Sequence, residues 1–258
     1  MIRKVLVKMF KKRGQITIFI LMALILTIAF FLVSNIDENG EEEFHQADIV
    51  PIKNFLDSCV KDISEDAVYL LGWRGGLIEY DESRMMFANF EPITYSYIEG
   101  RKTLPTTEEM ELELENYVNE YFDGCIENGS ILQGWDIEKG DIDSEASMSV
   151  DSVLFKINYP LNFVKGDYEE RLSEFKAEVP VRLLHIRSVI ENIVDEQLES
   201  PGLVPYTLLD RDLDGAMYLQ RENNFIYEFI DDKSIIRNEP FQFLVANRFQ
   251  ELTIDDII

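Results

Sequence analysis

Residues 153–168 read VLFKINYPLNFVKGDY. Val153, Phe155, Ile157, Tyr159, Leu161 and Phe163 place an apolar side chain at every second position. That period belongs to a strand with one buried face. Lys165-Gly166-Asp167 then marks a hairpin turn. Tyr168, Leu172, Phe175 and Val179 make the return arm, closed by Pro180. Within that arm, 171–178 fits a helix as well as a strand by spacing. Upstream, Met148 and Val150 share the period of two, with a turn or register change near Asp151-Ser152.

On either side of this hairpin the period changes to that of a helix. Ile52, Phe55, Leu56, Cys59, Val60, Ile63, Ala67, Leu70 and Leu71 recur in steps of three and four, which predicts a helix opening at Pro51 and stopping near Gly72, before the breaker pair Gly75-Gly76. Thr106 and Glu109 have capping-box spacing and start a second helix. Its stripe is Met110, Leu114, Tyr117, Tyr121 and Cys125, with Val118 and Phe122 beside it. Glu108, Glu111, Glu113 and Glu115 read as a solvated face near the helix N-terminus rather than a metal site. A third helix is predicted over 181–199. Short strands are predicted at 77–80, 93–98, 216–221, 225–230, 235–236 and 241–249, with a hairpin turn at Asp231-Asp232-Lys233. The aromatics Phe87, Phe90, Tyr95 and Tyr97 suit a carbohydrate platform or ordinary cross-strand packing, and packing is the commoner reason. Helices and strands without a regular strand–helix–strand repeat imply an α+β domain of about three helices and antiparallel strands. A sub-boundary is expected near 130–145.

The chain has 258 residues, 24 Lys+Arg, 49 Asp+Glu and a formal net charge of −25. That charge is unevenly spread. Residues 1–34 hold six basic residues and no acid. The remaining 18 bases stand against all 49 acids, a net charge of −31. From Ile16 to Val33 the chain is apolar except for Thr17 and Thr27. As a helix this run is roughly 27 Å long, about the thickness of a hydrocarbon core. It is therefore expected to be a transmembrane helix, and no small-residue cleavage pattern follows it. The basic flank predicts a cytoplasmic N-terminus and an external C-terminal part. The expected organisation is a basic leader at 1–14, a membrane helix at 15–34, an acidic stalk at 35–48 and an extracytoplasmic domain at 49–258. The acid excess excludes nucleic acid as a partner of that domain.

Lys11-Lys12-Arg13-Gly14-Gln15 precedes the apolar run. This junction resembles the class III signal peptide of archaeal type IV pilin-like proteins, which implies cleavage between Gly14 and Gln15. Phe19 stands where such pilins carry Glu, a departure that bears on filament assembly more than on processing.

Cys59 and Cys125 are the only cysteines, and each falls on the apolar stripe of a predicted helix. In an extracytoplasmic setting they are expected to pair as a disulfide, the alternative being two separate buried thiols. Asp210-Arg211-Asp212-Leu213-Asp214-Gly215 matches the start of a calcium loop. Position twelve is Arg221, so it is not an EF-hand. The turn is either a degenerate calcium site at Asp210, Asp212 and Asp214 or a solvated acidic turn, and no other cofactor is expected. Asn128-Gly129-Ser130 is a glycosylation sequon. No nucleophile elbow, P-loop, dinucleotide fingerprint or zinc-protease motif occurs.

Over most of its length the chain resembles a group of uncharacterised archaeal single-pass membrane proteins. The residues that carry this are the segment 12–19, Phe55-Leu56-Asp57-Ser58-Cys59-Val60, Leu70-Leu71-Gly72, Gly75-Gly76, the second helix closing on Cys125, Asn158-Tyr159-Pro160-Leu161 and Pro180-Val181-Arg182-Leu183. The resemblance implies an archaeal cell envelope and supports the Cys59–Cys125 pairing. It supplies no catalytic residue. The expected function is a membrane-anchored surface module that interacts with envelope or pilus-like proteins, more readily non-catalytic than an enzyme. The alternatives are a minor pilin-like subunit and a tethered enzyme or small-ligand receptor.

Overall fold

The computed structural model of the chain describes residues 24, 27, 41–88, 91–200, 213–220 and 223–250. The leader with Gly14 and Gln15 lies outside these residues, as do Asp210, Asp212 and the apolar run 16–33 apart from the helical Leu24 and Thr27. Among the described residues no helix is long and apolar enough to cross a membrane. The chain divides into two compact units, Met1–Pro51 and Ile52–Ile258. The second runs without division through 130–145.

Helix α1 spans Glu41–Trp73. It begins within the acidic stretch 35–48, because its Glu residues are good helix formers. Pro51 consequently lies inside the helix rather than at its start. From Ile52 onward the buried line is Ile52, Leu56, Val60, Ala67, Val68 and Leu71. At Gly72 the helix closes on strand 239–248: a Cβ there would come within 2.4 Å of the Phe241 ring. Gly75, at φ +79°, then turns the chain under the Leu244 carbonyl, where no side chain fits. The expected strand at 77–80 does not form. That segment is held instead by side chains of the second helix, as described below.

Strands β1 (Met85–Ala88), β2 (Glu91–Ile98) and β3 (Arg101–Lys102) follow. Helix α2 covers Thr107–Asn128 and has the predicted capping box: the Thr106 side chain accepts from Glu109 N, and the Glu109 carboxylate accepts from Thr106 N. Its buried residues are Met110, Leu114, Val118, Phe122, Cys125 and Ile126. The core stripe thus runs through Val118 and Phe122, one position on from Tyr117 and Tyr121.

Strands β4 (Asp136–Lys139), β5 (Asp143–Met148), β6 (Val153–Lys165) and β7 (Tyr168–Val179) form one antiparallel sheet. In β6 every second side chain from Val153 to Phe163 is buried, as the sequence predicts. The ambiguous piece 171–178 is strand, paired along β6. Pro160 lies at a register shift in β6, where a residue without an N–H is tolerated. The Pro160 carbonyl accepts from Gly140 N at 2.7 Å, between β4 and β5.

Helix α3 (Leu183–Glu199) leads to β8 (Asp214–Leu219), β9 (Asn224–Ile236) and β10 (Glu239–Arg248). These join β1–β3 in a six-stranded sheet. β10 runs parallel to β2 although the two are far apart in sequence, so this sheet is mixed rather than purely antiparallel. The expected turn at Asp231-Asp232-Lys233 is not a turn. β9 continues through it with a bulge, since Phe241 pairs Asp231 whereas Pro240 pairs Ile235. The hairpin turns at Arg237 and Asn238, both at positive φ, as a two-residue primed turn requires. The whole is α+β, with three helices and one antiparallel and one mixed sheet.

Candidate binding cleft

Cys59 on α1 and Cys125 on α2 are paired as a disulfide, with Cα atoms 6.4 Å apart. This is an ordinary Cα separation for such a bridge. Both residues lie on the inward side of their helices because the apolar periodicity places them there. The bridge closes a separation of 66 residues, which is worth about 4 kcal/mol on the chain-entropy model.

Of the four glutamates on α2 expected to be solvated, three hold backbone. Glu111 accepts from Met148 N at 2.8 Å, and Glu115 accepts from Ala146 N at 3.0 Å. The two carboxylates thus satisfy the edge of β5 that faces away from β6, in place of another strand. Glu113 Oε2 accepts from both Ile78 N and Glu79 N at 2.7 Å. From the other side, Arg74 Nη1 donates to Ile78 O at 2.5 Å. Only Glu108 keeps the solvated role. Its carboxyl lies below the usual range because backbone and Thr106 hydrogen bonds at the helix start favour the charged form.

The clamped loop 78–80, the end of α1 and one face of α2 enclose a cleft of about 410 Å³. Glu113, Asn116, Tyr117, Glu120 and Tyr121 recur at steps of three and four and line it together. Tyr117 and Tyr121 stack with ring centroids 4.4 Å apart. Tyr80 faces the cleft from the loop and rests against Phe87, with centroids 5.1 Å apart. Burial raises the Tyr117 hydroxyl pKa, and Tyr121 and Glu120 add to this while Arg74 opposes it. The hydroxyl therefore stays protonated and can donate. Arg74 also lines the cleft, and its Nε–H is buried without a hydrogen-bond partner.

Of the aromatics noted in the sequence, Tyr95 and Tyr97 are buried and serve packing, Phe87 is exposed, and Phe90 lies outside the described residues. The cleft face of α2 could have been found by asking which helical positions remain once the apolar stripe is removed. Asn128 is the last residue of α2 and is exposed, with its amide nitrogen donating to Gly124 O. Asp214 is exposed at the start of β8. Among the described residues no group of three His, Cys, Asp or Glu side chains is placed to hold a metal.

Glu113 is committed to two backbone amides. Among the described residues the most buried ion pair, Arg182 with Asp231, lies in the core between the 180–182 connection and β9 and is tied up by hydrogen bonds to Ser234 and Lys233. No family model, curated protein or solved structure matches the chain.

Proposed function

We propose that the chain is a membrane-anchored protein of a cell surface or envelope, whose acidic α+β domain lies outside and acts as a non-catalytic interaction module. The Cys59–Cys125 disulfide carries this reading. Structural disulfides persist in oxidising compartments and are rare in the cytosol. The apolar run 16–33 with six basic residues before it supplies an anchor of matching orientation. The net charge of the part beyond residue 34 favours solubility and mutual repulsion at a crowded surface. The bilayer is the partner of 16–33, and envelope or pilus-like proteins are the partners expected for the domain.

Protease added to intact spheroplasts tests the topology. The reading predicts that 49–258 is digested or released without lysis, and protection of the whole domain until lysis contradicts it. A minor pilin-like subunit is the second reading, favoured by the junction Lys11-Lys12-Arg13-Gly14-Gln15. Mass spectrometry of the mature chain separates the two: Gln15 at the N-terminus supports pilin-like processing, and an intact Met1 start removes it.

A further inference from the structure

We propose that the cleft between α1, the loop 78–80 and α2 binds a neutral saccharide, with one sugar ring lying on Tyr121 and its hydroxyls reaching Glu120, Asn116 and Arg74. The proposal rests on the surface reading for the source of the ligand but not for the binding itself.

The cleft has the size of an ordinary small-ligand site. Its aromatic faces are treated differently from three others on the molecule. Trp135 has Lys165 above its ring, Tyr69 has Arg237 and Tyr95 has Arg248. Among the described residues no Lys or Arg is stacked in this way on Tyr80, Tyr117 or Tyr121. Tyr121 on α2 is 49% exposed and Tyr80 on the loop is 47% exposed, and both line the cleft. A sugar ring offers an apolar C–H face to such a platform and a rim of hydroxyls, each both donor and acceptor. The polar groups suit that rim. Glu120 accepts, Asn116 does both, and the guanidinium of Arg74, which lines the cleft, donates. Acceptors and donors are mixed here, as a neutral polyol needs. Three glutamates against the one guanidinium of Arg74 leave the lining net negative, which disfavours an anion and makes a small cation the competing occupant that the titration must exclude. The site is also preformed, since Glu113 and Arg74 fix the loop from both sides, so little ordering cost remains to be met on binding.

The test is calorimetric titration of the full chain in lipid nanodiscs made without glycoside detergent. The probes are neutral disaccharides of glucose, galactose and mannose, with putrescine and tetramethylammonium as cationic probes. The proposal predicts saturable binding of at least one disaccharide. Tyr121→Ala weakens it by about tenfold, the size of one lost aromatic contact. Tyr121→Phe retains the stacking and most of the affinity, and Leu112→Ala, at an exposed position outside the cleft, changes nothing. Unchanged circular dichroism and an intact Cys59–Cys125 bridge certify that each variant is folded. The proposal is overturned if no disaccharide binds, if binding ignores Tyr121→Ala, or if only the cationic probes bind. None of these outcomes alters the protease result, so the site and the topology fail separately.

Discussion

The sheet of β4–β7 buries a continuous apolar face, whereas the mixed sheet of β2, β9 and β10 buries a chain of polar side chains. In the first, Phe122 of α2 meets Tyr159 and Phe175 edge-on, at 5.4 and 5.1 Å between centroids. In the second, Ser96 Oγ donates to Asn247 Oδ1, Asn247 Nδ2 donates to Gln197 Oε1, and Gln197 Nε2 donates to the Tyr227 hydroxyl. Ser96, Asn247 and Gln197 are almost wholly buried. The difference is one of purpose. Apolar packing supplies stability that tolerates conservative change. A satisfied polar chain specifies register, here between two parallel strands and α3, and is costly when broken.

The largest effect falls in the apolar sheet. Phe122→Ala removes a fully buried ring and should cost about 4 kcal/mol, read as a lower urea midpoint with the disulfide intact. A loss under about 1 kcal/mol would show that the sheet does not depend on this contact. Next comes the ion pair of the mixed sheet. Asp231 is fully buried and accepts from Arg182 at 2.5 and 3.0 Å. Burial alone would raise its carboxyl pKa, but Arg182 and Ser234 outweigh that and hold it below the usual range. Asp231→Asn leaves the arginine with no opposite charge and should cost about 3 kcal/mol at neutral pH.

The sign of the pH dependence follows from that depression. A carboxyl whose folded pKa is lowered contributes stability above its unfolded pKa of about 4, and loses it as pH falls through the folded value. Denaturation midpoints should therefore drop below about pH 4 in the parent and less steeply in Asp231→Asn. Equal slopes would refute the ionised pair. Asn247→Ala strands Ser96 and Gln197 and should cost about 2 kcal/mol, with amide exchange rising across the β2–β10 pairing rather than across β6. The smallest effect is at the β5 edge, where Glu115→Ala frees one N–H and should cost about 1 kcal/mol. Faster exchange at Ala146 alone is its signature.

The same contrast explains what could be read from the chain. Alternation in β6, the capping box at Thr106 and the meeting of Cys59 with Cys125 are written in local periodicity, and all appear in the structure. The β2–β10 pairing, the bulge that buries Asp231 and the backbone held by Glu111, Glu113 and Glu115 are not. These contacts join residues about 30 or more positions apart through side chains whose local pattern also fits a solvated helix or turn. The cleft is an intermediate case. Tyr117 and Tyr121 stand at helical spacing, but nothing local distinguishes a core stripe from its neighbour one position over. Only the packing of Val118 and Phe122 turns the two tyrosines outward.

The proposed surface role requires an oxidised domain outside the cytoplasm. Thiols of the full-length chain can be trapped with an alkylating reagent in intact cells, followed by non-reducing peptide mapping. A domain outside the cytoplasm should yield a crosslinked peptide joining Cys59 to Cys125 and no alkylation at either. Two alkylated thiols would contradict it.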